Sequence, residues 1–373
     1  MTSEAGFEKA PGRPSAEPAK AHPASRPVDF VKKVGKGRTL SADLTAGESR
    51  TAFQLLLDGS FMPVQAGAFL QALRIKELTQ AELDALAGTF RDRMGAAPPL
   101  IGSHTLVLNL ASDTQRKGGL VSLLAARLLR RFGVAVGIVR SAPVLQGNTA
   151  SFDESWALAE RLEADGALFP VPMAQAAGLA PPPLRVDCGE LIAGLASLDT
   201  LRSHLGFRSC LHTAEKLVNP WPASPLLLGI SHKHYALRMA QTMANLGLSG
   251  RILLGNHGTV DLVLHKETEI VSVAATGPEA ERIREESVAP GTLGLEIPSD
   301  IYSLGKFPQW GEWLDAMGGA SATDAGSPLS VRDNGLRRAI QYHLAVLLWA
   351  AGAARDPAAG LAAARSAIPR LFQ

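Results

Sequence analysis

Cysteine is nearly absent from this chain. Two occur in 373 residues, Cys188 and Cys210. That is too few for a disulfide framework, and they lack the spacing of a zinc site, so both are expected as buried thiols and redox chemistry is disfavoured. Long apolar runs are missing too. The longest, Leu344 to Ala351, falls far short of the ~20 residues that span a bilayer, and the first residues carry no apolar export segment. A cytoplasmic protein with no membrane partner is expected. No Gly-x-Ser-x-Gly elbow, Walker loop or catalytic cysteine pattern occurs, and no pair of carboxylates or histidines stands out as general acid and base. Internal repeats are absent as well.

What is present is length, apolar content and an uneven charge. With 46% hydrophobic residues, the chain can bury a sizeable core and is expected to hold two domains. The net charge of +2 hides an asymmetry: residues 30–140 hold fifteen Lys/Arg against eight Asp/Glu, whereas residues 141–373 hold eighteen against twenty-three. The basic block suits an anionic partner, with a merely solvated charged surface as the plain alternative.

Residues 1–28 are rich in Pro, Ala, Ser, Glu and Lys without apolar periodicity and are expected to be a disordered tail. A helical domain over 29–97 follows. It opens on a flexible basic arm, Asp29 to Leu44, in which Lys32, Lys33, Lys36 and Arg38 are interleaved with Gly35 and Gly37. Such an arm would track phosphates or serve as a solvated linker. From Thr45 to Met94 the apolar spacing is helical, with Thr45 and Thr79 as N-caps and Glu82 completing a capping box.

The remainder, 98–373, reads as α/β. A strand at 104–110, a helix from about Gly118 to Phe132 and a strand from Val134 to Val139 form a βαβ unit, which implies a parallel sheet. Further strands are predicted at 225–230, 251–254, 260–264 and 270–273. Helices are predicted from His234 to Leu246, from a capping Asn or Asp at about Asn334 to Ala351, and after Pro357. The fold class is therefore a small N-terminal helical domain plus a larger α/β domain with a mostly parallel central sheet.

Three stretches carry chemistry. The loop Ala111 to Lys117, after the first strand, stands where a phosphate cradle sits in open α/β folds. It has no glycine, and it puts Arg116 and Lys117 at its mouth. His204, Arg208, His212 and Lys216 recur every four residues, with Arg202 just before them; on one helix they would form a basic stripe able to follow a phosphate backbone, or else a plain polar face. His232-Lys233-His234 invites a metal, but His257 is the sole nearby third ligand, so a helix start at Ser231 or His232 with Lys233 exposed is the better reading. Gly255-Asn256-His257-Gly258 reads as a strand-exit turn, with an active-site loop as the alternative.

Leu55-Leu56-Leu57-Asp58-Gly59 and Gly67-Ala68-Phe69-Leu70-Gln71-Ala72-Leu73-Arg74-Ile75-Lys76 resemble the helical domain of anthranilate phosphoribosyltransferases and nucleoside phosphorylases. Leu205-Gly206-Phe207-Arg208-Ser209 with Leu217-Val218-Asn219-Pro220 resembles the Leu-Gly-x-Arg-Thr to Leu-x-Asn-Pro segment of the same glycosyltransferase family 3 fold. The resemblance implies that helices within about 188–216 complete the helical domain. Departures accompany it. Where those enzymes hold phosphoribosyl pyrophosphate on Gly-Thr-Gly-Gly-Asp, this chain has Leu110-Ala111-Ser112-Asp113-Thr114. Their Lys-His-Gly-Asn is replaced by Ile138-Val139-Arg140-Ser141, and their magnesium-holding Asp-Glu reads Asp261-Leu262. Arg208 resembles the anthranilate-contacting arginine.

The pattern is similar to the YbiB-type branch of the family, as are Gly35-Lys36-Gly37-Arg38, Ala42-Asp43-Leu44 and Ile230-Ser231-His232. That resemblance implies non-specific DNA or RNA binding without transferase activity or cofactor, and a homodimer through the helical domain. Lys32, Lys33, Lys36, Arg38, Arg116, Lys117, Arg202, Arg208 and Lys216 would supply the phosphate contacts. The alternative is a phosphoribosyltransferase with an altered site for phosphoribosyl pyrophosphate, its magnesium held by Asp113 or Asp261.

Overall fold

A computed structural model describes residues 26–37, 40–111, 120–141, 156–157, 160, 179–297 and 328–368. Almost all of the expected tail, and Arg38, Asp113, Arg116 and Lys117, lie outside the described residues.

The chain opens with α1 (Pro27–Val34), α2 (Ala46–Leu57), α3 (Pro63–Lys76) and α4 (Gln80–Asp92). The first of these corrects an expectation: the start of the basic arm is a helix, because Phe30 and Val34, four residues apart, are both fully buried and anchor it. Thr45 and Thr79 each accept from a backbone N–H three residues on while Glu48 and Glu82 reach back, forming two complete capping boxes. Glu82 does more. Its carboxylate also accepts from the Leu44 N–H and from Lys76 Nζ, fastening the ends of α3 and α4 and the chain before α2 at one buried point.

The larger part is a seven-stranded sheet. Its strands are β1 (His104–Asn109), β2 (Val134–Arg140), β3 (Leu184–Asp187), β4 (Leu226–Gly229), β5 (Gly250–Leu253), β6 (Thr268–Val273) and β7 (Ile283–Val288), in the order β3-β2-β1-β4-β5-β6-β7. The first five are parallel and the last two antiparallel. A strand at 260–264 does not form: after β5 the chain makes a tight turn at Asn256–Gly258, and the Asp261 and Leu262 N–H groups donate to the side chains of Thr259 and His343 instead of to a neighbouring strand. The edge strands β3 and β7 went unpredicted. β3 buries none of its residues fully and β7 only Val288, so neither shows the apolar run of a central strand.

Alternate residues of the central strands enter different cores. Leu106, Leu108, Val136 and Ile138 pack under α5 (Leu120–Leu128), α10 (Pro328–Ala350) and α11 (Pro357–Ala367), whereas Val107, Val139, Leu226 and Leu228 face the helical part. That second core is continuous with α1 to α4, with α6 (Cys188–Leu191), α7 (Asp199–Leu205) and α8 (Cys210–Glu215), and with α9 (Lys233–Asn245). α10 starts at Pro328, ahead of the Asn or Asp expected to cap it. Both cysteines are buried thiols. Burial raises the pKa of Cys188 well above its ordinary value and that of Cys210 to about 12.

Candidate functional site

The sheet order reverses between β1 and β4, and ligands of open α/β sheets bind beyond the strand ends at such a point. A cleft of about 430 Å³ lies there. One wall comes from the helical part, with Leu73, Arg74, Glu77 and Leu83. The other comes from the exits of β4 and β5, with Ile230, Ser231, His232, His257 and Gly258; α8 with its flanking residues and α9 close the ends. Among the described residues its lining holds four Arg/Lys (Arg74, Arg208, Lys216, Arg238) and three histidines against one carboxylate, that of Glu77.

Local chemistry sets these positions. Gly206 adopts φ 65° and ends α7, so α8 starts on a new axis after Ser209. The basic stripe is thereby corrected: regular four-residue spacing runs across two short helices joined by a left-handed glycine, and its members part company. Arg202 is 1% exposed. It donates to Glu215 at 2.7 Å and Asp199 at 3.3 Å, and is a core ion pair instead of a phosphate contact. Burial works against its charge, but the two carboxylates outweigh it and raise its pKa.

Lys216 is turned inwards, its Nζ donating to the carbonyls of Gly229 at 2.5 Å and Gly258 at 3.0 Å. It is a strut across the cleft floor. Arg208 does line the cleft, and its carbonyl accepts from Arg74, whose guanidinium also lies over Phe207 at 5.2 Å. Of the arm residues, Lys33 is paired with Glu48 at 2.6 Å, while Lys32 and Lys36 are exposed.

Several functional positions went unread in the sequence. Arg74, Arg238 and Tyr235 belong to two helices far apart in the chain, and nothing in local spacing ties them to Arg208. Arg238 approaches Glu77 at 3.8 Å across the cleft. The turn Gly255 to Gly258 is a strand exit as expected, and it also puts His257, a non-glycine residue at φ 52°, on the cleft lining.

Of the two residues expected to hold magnesium, Asp261 is the one among the described residues, and it is engaged in the fold. Asp261 is buried; its carboxylate accepts from the Ser122 N–H at 3.1 Å, in the first turn of α5, and stands 3.7 Å from His343 Nε2. His343 is neutral in this network, Nε2 accepting from the Leu262 N–H and Nδ1 donating to the Ala339 carbonyl, and burial lowers its pKa. Asp261 as a magnesium ligand is thus corrected to a structural acceptor. Among the described residues no three His, Cys, Asp or Glu gather as metal ligands. Arg140, the last residue of β2, donates to Asp187 at 3.0 Å.

A helical bundle joined to a mostly parallel sheet, with a cationic cleft between them, defines a glycosyltransferase of the phosphoribosyl type by fold. Residues 28–94 match the helical bundle domain of a glycosyl transferase family. An anthranilate phosphoribosyltransferase of Methylobacterium nodulans is 32% identical over 281 residues, 73% of this chain and 77% of that protein. An uncharacterized protein of Aquifex aeolicus is 28% identical over 273 residues, 73% of this chain and 79% of its own. The anthranilate phosphoribosyltransferase structure from Thermus thermophilus superposes with a TM-score of 0.60 at 20% identity, covering 92% of this chain and 96% of that one. The chain belongs to the anthranilate phosphoribosyltransferase family.

Proposed function

We propose that this protein binds nucleic acid, DNA or RNA, through its phosphates at the mouth of the interdomain cleft, on a transferase fold that no longer transfers, as in the YbiB-type branch. The charge of the cleft lining carries the reading: four Arg/Lys and three histidines meet one carboxylate. Lys32 and Lys36, exposed on the helical part, add to the basic surface. Asp261 speaks against transfer, since its carboxylate is committed to α5. A homodimer through the helical domain would set two such clefts on one particle; exposed Met62 and Val64 at the start of α3 supply an apolar patch for it.

The test is fluorescence anisotropy of labelled oligonucleotides across a salt series. Three cations on phosphates, Arg74, Arg208 and Arg238, predict a slope of log affinity on log salt of about −2. Replacing Arg208 and Arg238 together with alanine is expected to weaken binding for all sequences and to flatten that slope. No binding at low salt, or a salt-independent signal, would overturn the proposal. The relatives' names favour a second reading, phosphoribosyl transfer with an altered donor site. Calorimetry with phosphoribosyl pyrophosphate and magnesium separates the two: tight binding there, without any for oligonucleotides, selects the enzyme.

A further inference from the structure

Three rings gather where α9 begins. The His232 and His234 rings lie 5.9 Å apart between centroids with planes 27° apart, and Tyr235 sits 4.4 Å from His234 at 43°. His232 and His234 are exposed and Tyr235 is half-buried, so this is not core packing. His232 and Tyr235 line the cleft together with Arg208 and Arg238. Lys233, between the two histidines in sequence, is turned instead to Glu269 at 3.1 Å and Glu285 at 2.6 Å, and offsets one of the two negative charges that β6 and β7 bring to this end of α9.

Solvent-facing ring surfaces beside guanidinium groups are the arrangement on which unpaired bases stack while their phosphates are held. Every base has a π-face, so such contacts are sequence-tolerant. A duplex keeps those faces against its own neighbours and offers only its backbone and groove edges. We propose that the rings of His232, His234 and Tyr235 form a platform for unpaired bases and that single-stranded nucleic acid is the ligand class of the cleft. The proposal rests on the phosphate-binding reading above and adds to it a preference that charge alone cannot produce.

The full chain is titrated with three probes of 20 nucleotides at one salt concentration: a labelled oligothymidylate, an abasic strand of the same charge, and a duplex. Stacking on the platform makes the intact strand bind about tenfold more tightly than the abasic one. A duplex is expected to bind no better than the abasic strand. Replacing His232 and His234 together with alanine should bring the intact strand down to the affinity that the same variant shows for the abasic one, while Tyr235→Phe should keep the difference. Equal affinity for all three probes overturns the platform and leaves phosphate binding standing. No binding of any probe overturns both. The abasic comparison uses the unaltered protein, so it decides even if a variant fails to fold.

Discussion

Arg202 and His343 show how little a residue's type says about its work until its surroundings are known. Arg202, counted with the basic stripe, is locked between Asp199 and Glu215, the latter only 1% exposed. Arg202→Ala strands Glu215 without its partner and is expected to cost about 3–5 kcal/mol in urea unfolding, whereas Arg202→Met with Glu215→Leu should recover most of it. His343 predicts a pH effect. Its pKa is lowered in the folded state, so the unfolded chain takes up the proton first: stability is full above the ordinary imidazole pKa of about 6.5 and falls as pH drops below it, by at most about 1.4 kcal/mol per pH unit. Urea midpoints measured from pH 8 to 5 should show this fall, and His343→Gln should reduce it.

Helices and central strands were largely legible because their signals are local. The two capping boxes, the apolar spacing of α2 to α4 and the βαβ unit from β1 to β2 rest on neighbours within a few positions, and all are in the structure. Thr79→Ala is expected to cost about 1 kcal/mol in thermal unfolding, more if Glu82 also loses its bond to Leu44. Where the reading failed, the deciding partner was distant or the breaker was underweighted. The stripe from His204 to Lys216 was a count of spacings, and Gly206 at φ 65° broke its axis. Gly206→Ala has room for its methyl group but must hold a left-handed backbone. It should destabilise by about 1 kcal/mol without fusing α7 to α8.

At the scale of the whole molecule, the cleft was the hardest part to foresee, since its cations come from α3, the α7–α8 junction, the end of α8 and α9. Charge asymmetry along the chain hinted at an anion site but gave no map, because Lys33 and Arg202 spend their charge on internal carboxylates. Self-association is a property of this scale too. Val64, 78% exposed at the start of α3, is expected to lie in the proposed dimer contact, and Val64→Asp should shift sedimentation from dimer to monomer while leaving the melting temperature nearly unchanged.

Lys216 closes α8 onto Gly229 and Gly258, the exits of two neighbouring strands, with charge-assisted bonds from one ammonium group. One ammonium group thereby ties the helical side of the cleft to the sheet side at its floor, so the two walls share a single fastening point.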